Sequence, residues 1–455
     1  MEQPTYSRDE IYDVIGIGLG PFNLGLAALL EPVAEIKGLF FERNQQFNWH
    51  PGVMIDGTTL QVPFMADLVT MADATSKYSY LSYLQEHQRL YHYYFLENFH
   101  IHRKEYNHYC QWAAGKLNSC RFGMNVRHVS LTEQAGRPLY ELEVWNEKSG
   151  QLEIYFTKHL VIGIGTTPVI PEHLAEHVDE SFFHSSQYMN HKQRILSSNS
   201  ITVVGSGQSA AEVFQDLLKE QELRGYSLNW LTRSKGFFPM EYSKLGLEYF
   251  SPDYIEFFYS LSQQKKDELL PKQDLLYKGI SAATIAEIYD ELYRRTIANE
   301  SIDIRLQAMT EVCEARKDSG IWNLTCKNWV SGEMNAQSSE VVIFGTGYKQ
   351  TEPFFLNGIT HFIQRDDKER LVIDRHYALK QTSYTENQIF IQNGELHSHG
   401  VGAPDLGLGA YRNSVIINQL AGREVYPVQQ KNVFQTFSQT QTKESNALYH
   451  AMTSS

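Results

Sequence analysis

Apolar positions in this chain come either in short unbroken runs or on one face of helical stretches. Asp13-Val14-Ile15-Gly16-Ile17 is such a run; it ends in the turn Gly18-Leu19-Gly20, and Pro21-Phe22-Asn23-Leu24-Gly25 opens an apolar helix behind it. A second run, Gly38-Leu39-Phe40-Phe41, closes on Glu42. The device returns at Ile201-Thr202-Val203-Val204, with the turn Gly205-Ser206-Gly207 and a helix that keeps Ala210, Val213, Phe214, Leu217 and Leu218 on one face. Leu228-Asn229-Trp230-Leu231 follows and ends in Thr232-Arg233-Ser234-Lys235. Runs this short, bounded by glycine, predict strands buried on both faces of a parallel sheet.

The doubled unit predicts an α/β fold: two dinucleotide-binding Rossmann-like domains plus a small, mostly helical substrate region. Two more runs, Leu160-Val161-Ile162-Gly163-Ile164 and Val341-Val342-Ile343-Phe344, each leave into small residues. These paired exits predict that the second domain is inserted in the first. The expected boundaries are 1–168 for the first part of the first domain, 169–338 for the insert, 339–435 for the return, and 436–455 for a mobile tail of Ser, Thr, Gln and Lys. Residues 1–10 read as a loose leader, 121–165 as short strands, and 236–300 as a loop followed by helices.

The turns carry the chemistry. In the first, Gly16 permits the turn, Gly18 leaves room for a pyrophosphate, and the helix N-terminus offers N–H groups to it, while Glu42 is placed to grip a ribose hydroxyl. In the second, Arg233 and Lys235 replace the acid, and a cation there suits the 2′-phosphate of NADP. The pairing therefore points to FAD at the first turn and NADPH at the second. Composition excludes other classes. The chain has 455 residues, 42% hydrophobic, with a net charge of −13 and no basic stripe, which counts against nucleic acid and anionic membrane as partners. No apolar run approaches a membrane span, and a cytoplasmic location is expected. Cys110, Cys120, Cys313 and Cys326 form neither a C-x-x-C pair nor a zinc spacing, which argues against a disulfide reductase. His87, His92, His100, His102 and His108 lack a close carboxylate partner at helical spacing, so no metal is expected.

Six segments taken in order resemble one family. They are Gly16 to Leu24, Phe47-x-Trp49-His50-Pro51-Gly52, Leu60-Gln61-Val62-x-Phe64, Asp67-Leu68-Val69, Gly205-x-Gly207-Gln208-Ser209-Ala210-Ala211-Glu212, and Phe344-Gly345-Thr346-Gly347-Tyr348. From residue 11 to about 425 the chain is similar to the microbial N-hydroxylating flavin monooxygenases, which act on the side-chain amine of lysine or ornithine, or on a free diamine, for siderophore biosynthesis. The resemblance implies that NADPH reduces FAD, and that reduced flavin and molecular oxygen give a C4a-hydroperoxide. Its distal oxygen then passes to the lone pair of a primary amine. The flavin carries that step, so no acid–base residue is required, but the amine must be neutral, which a desolvated pocket favours. The resemblance places Gly16, Gly18, Gly20, Pro21, Glu42 and Gly347 around FAD, with Trp49, His50 and Gln61 by its ring system. It places Gly205, Gly207, Gln208, Ser209, Arg233, Ser234 and Lys235 around NADPH, and Gln61, Ala66, Asp405, Leu406 and Gly407 by the substrate. It also implies a homo-oligomer, dimer or tetramer.

Two departures bear on the substrate. Members that use amino acids carry Lys where this chain has Ala66 and Ser where it has Gly407, and both contact the substrate carboxylate. Without them a buried carboxylate has no partner, so the expected substrate is an aliphatic diamine, putrescine or cadaverine, with Asp405 facing the far ammonium. The alternative is lysine N6- or ornithine N5-hydroxylation, with Lys77 or Lys278 supplying the cation. Phe182-Phe183-His184-Ser185-Ser186 lacks the Gly and closing Trp of Baeyer–Villiger enzymes. A non-catalytic redox sensor is the third rival, and would be told by purification without flavin.

Overall fold

The computed structural model describes residues 5–382 and 386–438. The strand Thr5–Ile17 lies at the centre of the first sheet, parallel to Gly38–Glu42 on one side and Gln151–Ile162 on the other. Cys120–Phe122 borders Gly38–Glu42, Arg137–Asn146 and Met124–Gln134 extend the far side antiparallel, and Ile389–Ile391 pairs with Leu160 to Ile162. Alternation along the strands sorts two cores. Val14 and Phe40 face the helices Pro21–Leu30, Arg103–Lys116 and Gly409–Ala421, whereas Ile15, Ile17, Leu39 and Phe41 face the antiparallel strands and Leu356.

The second sheet is parallel throughout, in the order Phe182–His184, Val341–Phe344, Ser200–Val204, Ser227–Leu231, Ile304–Gln307. Ile201, Val203 and Ile343 pack on the helices Gln208–Arg224 and Ala282–Arg295. Val204, Val342 and Phe344 pack on the antiparallel strands Thr310–Asp318 and Ile321–Asn328 through Trp322 and Leu324.

Three expectations are revised. Val341–Phe344 belongs to the second sheet, so the insert runs past 338, and the chain rejoins the first sheet at Ile389–Ile391. A run buried on both faces reads alike in either sheet, and its partner strand is not local information. The supposed leader is strand from Thr5, with Thr5 and Tyr6 opposite Glu153 and Ile154. The start of the tail is held: Phe437 packs its ring 5.0 Å from Tyr254 and 5.3 Å from Tyr249; residues 439–455 lie outside the described residues. The two crossings between the units run side by side, Thr167 and Pro168 pairing antiparallel with Lys349 and Tyr348.

Helical residues 244–269 pack over the segment 396–401, where Tyr254, Phe258 and Val401 form a small core. The loop of residues 47–53 meets the second unit at Gly52, where a Cβ would stand 1.6 Å from the Ser186 carbonyl oxygen. Only glycine allows this approach of backbone to backbone.

Candidate active site

The first glycine turn is fastened to the neighbouring strand Gly38–Glu42. Gly18 N–H donates to the Phe41 carbonyl at 2.8 Å with φ at +85°, and a Cβ there would lie 2.7 Å from the Gly163 oxygen. At Gly20 a Cβ would meet only the Gly163 oxygen, at 4.0 Å, and Pro21 starts the helix with no side-chain cap, so the helix N-terminus faces the cleft. Glu42 accepts Leu19 N–H at 2.9 Å and the Asn44 side chain at 2.6 Å. Asn23, the polar residue in this apolar helix, is fully buried; it donates to the Gly18 carbonyl at 2.7 Å and accepts from Gln392 at 2.8 Å. Gly16 is not on the cleft wall. Its missing side chain leaves room for the Phe40 ring, which a Cβ would meet at 2.2 Å.

The second turn repeats the geometry. Gly205 N–H donates to Leu231 at 2.8 Å, φ is +137°, and a Cβ would stand 2.2 Å from the Gly345 oxygen. Gly207 ends the turn, and no side chain caps the helix behind it. Arg233 is 79% exposed, with Glu311 the nearest acid at 3.9 Å; Trp329 donates to the Arg233 carbonyl. Arg233, Ser234 and Lys235 all line the cleft. Gln208 lines it too, but its amide is committed to protein: it accepts Ser281 N–H at 2.7 Å and donates to Glu212 at 2.8 Å and Thr284 at 3.1 Å. Its role is therefore to hold the turn's helix to the helix Ala282–Arg295.

One cleft of about 2190 Å³ joins both turns. Gly347 and Ser209 stand on its wall, as do Trp49, His50, Gln61 and Leu406. His50 faces the cleft from a left-handed backbone position, φ 46°, with Trp49 edge-on to it at 5.0 Å. The ring is exposed to the cleft, and desolvation by the protein around it, with Arg103 adding to it, lowers the imidazole pKa and keeps it neutral at pH 7. A chain of edge-to-face rings runs on from His50 to Tyr348 at 5.9 Å and from Tyr348 to His184 at 5.0 Å, which crosses from the first unit to the second. Arg103 pairs with Glu212 across the same boundary; burial raises the Glu212 carboxyl pKa, and Arg103 and Gln208 pull it back.

Gln61 is the polar group with capacity to spare. Its Oε1 lies 3.4 Å from the Tyr242 hydroxyl, and its Nε2 is buried without a partner. Ala66, Asp405 and Gly407 come together behind the wall rather than on it, next to the wall residues Pro404 and Leu406: a Cβ on Gly407 would lie 3.7 Å from Ala66 Cβ and 2.9 Å from Asp405 Oδ1. The glycine thus lets the Asp405 carboxyl occupy the place a larger residue at 407 would contest. Burial raises Asp405 to about 6, and the N–H groups of Gly407 and Leu408 pull it back. Tyr242 stands near; burial first, and then the Asp405 charge, push its phenol up to about 12. The two alternative cations are elsewhere. Lys77 is tied at the surface to Glu31 at 2.9 Å, and Lys278 lines the cleft beside the second turn, its carbonyl 3.7 Å from where a Gly207 Cβ would be.

Sequence reasoning missed Tyr242, Gln392 and the partnership of Arg103 with Glu212. Asn23 did carry a signal, a polar residue in an apolar helix, whereas nothing local marks Glu212 or Tyr242.

Two glycine turns open to one cleft, with none of the four cysteines on its wall, define an oxidoreductase of the two-dinucleotide flavoprotein class. Residues 10–350 match the model of the L-lysine 6-monooxygenase/L-ornithine 5-monooxygenase family. The chain belongs to that family of flavin-dependent N-monooxygenases. It is 43% identical to the putrescine N-hydroxylase of Shewanella oneidensis, over 94% of this chain and 84% of that one. It is also 43% identical to the putrescine N-hydroxylase of Acinetobacter baumannii, over 95% of each. Among solved structures it is similar to DfoA bound to FAD, the desferrioxamine-pathway cadaverine monooxygenase of Erwinia amylovora, with 42% identity, a TM-score of 0.90, and coverage of 94% of this chain and 99% of that one.

Proposed function

We propose that this protein hydroxylates one primary amine of an aliphatic diamine, putrescine or cadaverine, using FAD, NADPH and molecular oxygen, as an early step toward a hydroxamate siderophore. The observation that carries the reading is the sign of the charge at the substrate end. Ala66 and Gly407 offer no cation, and the Asp405 carboxyl stands beside them. A buried carboxylate welcomes an ammonium and rejects an α-carboxylate.

The chain's own residues divide the work. Gly18, Gly20 and the helix start at Pro21 would hold the FAD pyrophosphate, and Glu42 its ribose. Gly205, Gly207 and Ser209 would hold the NADPH pyrophosphate, and Arg233 with Lys235 its 2′-phosphate. The unpartnered Gln61 Nε2 and the uncapped helix starts fit such ligands. When bound, the flavin supplies reduction by NADPH and activation of oxygen. Neutral His50, Trp49 and Gln61 wall the reacting end, exclude water, and leave the near amine desolvated and therefore uncharged. Asp405 holds the far ammonium and so sets which nitrogen is presented.

The test is a panel of putrescine, cadaverine, lysine and ornithine, scored by hydroxylamine product rather than by NADPH consumption. Preference for a diamine is expected, and preference for either amino acid overturns the reading. Arg233→Gln tests the second turn. The KM for NADPH is expected to rise roughly tenfold, as for the loss of one charge-assisted hydrogen bond. The KM for NADH is expected to stay within twofold. Equal changes for both coenzymes would remove Arg233 from the 2′-phosphate.

The reading extends to a cytoplasmic homo-oligomer. Its supports are four unpaired thiols, which suit a reducing compartment, and the exposed Tyr91, Tyr94 and Phe95 on the helix Leu90–Leu96, where no side chain is buried. No helix among the described residues is long and apolar enough to cross a membrane.

A further inference from the structure

The contact between the two units holds a feature that the chemistry above leaves unused. Arg103 heads the helix Arg103–Lys116 of the first unit, and Glu212 lies in the helix Gln208–Arg224 of the second. Their side chains meet through two parallel bonds, Nη1 to Oε2 at 2.6 Å and Nη2 to Oε1 at 2.8 Å. Exposure is 13% for the arginine side chain and 4% for the glutamate. A fork-to-fork pair fixes rotation as well as distance. A buried ion pair adds little net stability compared with apolar packing, so its best-supported use is to enforce one arrangement over its neighbours.

Both ends of the pair are anchored to nucleotide-binding elements. The backbone N–H of Arg103 donates to Thr58 at 3.0 Å, one residue before the strand that carries Gln61. Glu212 Oε1 also accepts from Gln208, the first residue of the helix behind the second glycine turn. A rotation of one unit against the other must therefore break the pair before it can disturb either turn.

We propose that Arg103 and Glu212 are positioning residues: their ion pair sets the angle between the two dinucleotide units at which hydride passes from NADPH to the flavin. This rests on the reading of the two turns as FAD and NADPH sites. The experiment uses the full-length holoenzyme and the variants Arg103→Gln, Glu212→Gln, Arg103→Lys and the reversed pair Arg103→Glu with Glu212→Arg. Flavin content, the dissociation constant for NADP⁺, and the anaerobic rate of flavin reduction at saturating NADPH are measured for each.

Either glutamine variant is expected to slow reduction 10- to 100-fold while flavin content and NADP⁺ affinity stay within threefold. Arg103→Lys keeps the charge but loses the fork, and is expected to fall between. The reversed pair is expected to regain at least fivefold over either glutamine variant. Unchanged reduction in the glutamine variants overturns the proposal. So does a loss of NADP⁺ affinity that accounts for the whole rate change, or a reversed pair no faster than the glutamine variants. A wild-type protein that holds no flavin, or whose flavin NADPH does not reduce, would instead overturn the assignment of the two turns.

Discussion

Asp405→Asn is expected to lower kcat/KM for the diamine by about 100-fold or more while NADPH reduces the flavin at its usual rate. Removing one partner of a buried charge pair costs about 3–5 kcal/mol, because the other charge is left unpaired in the protein. The amide also offers the ammonium an N–H as readily as an oxygen. The expected loss is confined to steps that involve the amine, so steady-state kinetics with product detection, beside anaerobic reduction, separates it from general damage. A fall in both rates together would place Asp405 in the support of the fold. The pH dependence follows with a definite sign. The free carboxyl, raised by burial to about 6, is charged above that value. Because kcat/KM reports ionisations of the free enzyme, it is expected to fall as pH drops through about 6, and Asp405→Asn is expected to flatten that limb. Without substrate, the raised carboxyl favours the folded state below its ordinary 3.8 and loses that advantage as pH rises through about 6.

Gly18→Ala is expected to give protein that retains little flavin. The residue sits at φ +85°, and an alanine Cβ would come within 2.7 Å of the Gly163 carbonyl oxygen, a backbone atom that cannot swing aside. The left-handed conformation costs an alanine about 1–2 kcal/mol, and an overpacked contact about 1–3 more. The turn yields by moving, and a moved turn no longer presents the helix start to a pyrophosphate. A rise of at least roughly 30-fold in the FAD dissociation constant is expected, the equivalent of about 2 kcal/mol. It is read from the visible flavin absorbance relative to protein and by titration of the apoprotein. NADP⁺ binding at the second turn should stay within threefold. Normal flavin content in the variant would move FAD away from this turn.

What the sequence made legible was local. Strand, glycine turn and helix lie within about thirty residues in each unit, so periodicity and turn chemistry sufficed to find both. The acid after one second strand and the cations after the other lie within the same short windows and were legible for the same reason. The substrate departures at Ala66 and Gly407 could be read residue by residue, and the fold brings the two positions together. What remained hidden was pairing at a distance. Val341–Phe344 could have joined either sheet, because a strand covered on both faces carries no mark of its neighbour. Asn23 finds Gln392 across 369 residues, and Arg103 finds Glu212 across 109; neither partner is implied by anything beside it in the chain. The motif position of Gln208 points to the coenzyme, yet the protein uses its whole amide.

The side-by-side crossings, Thr167 and Pro168 against Lys349 and Tyr348, have an evolutionary consequence. The chain of the entire second unit departs from its host and comes back at one spot. A module tied in this way can be spliced in, lost or exchanged in one event, since the host's own strand order needs no rerouting. Chimaeras that swap residues between those crossings among relatives would exchange the second glycine turn together with Tyr242 and Glu212, so the incoming module must also suit Gln61 and Arg103 of the host.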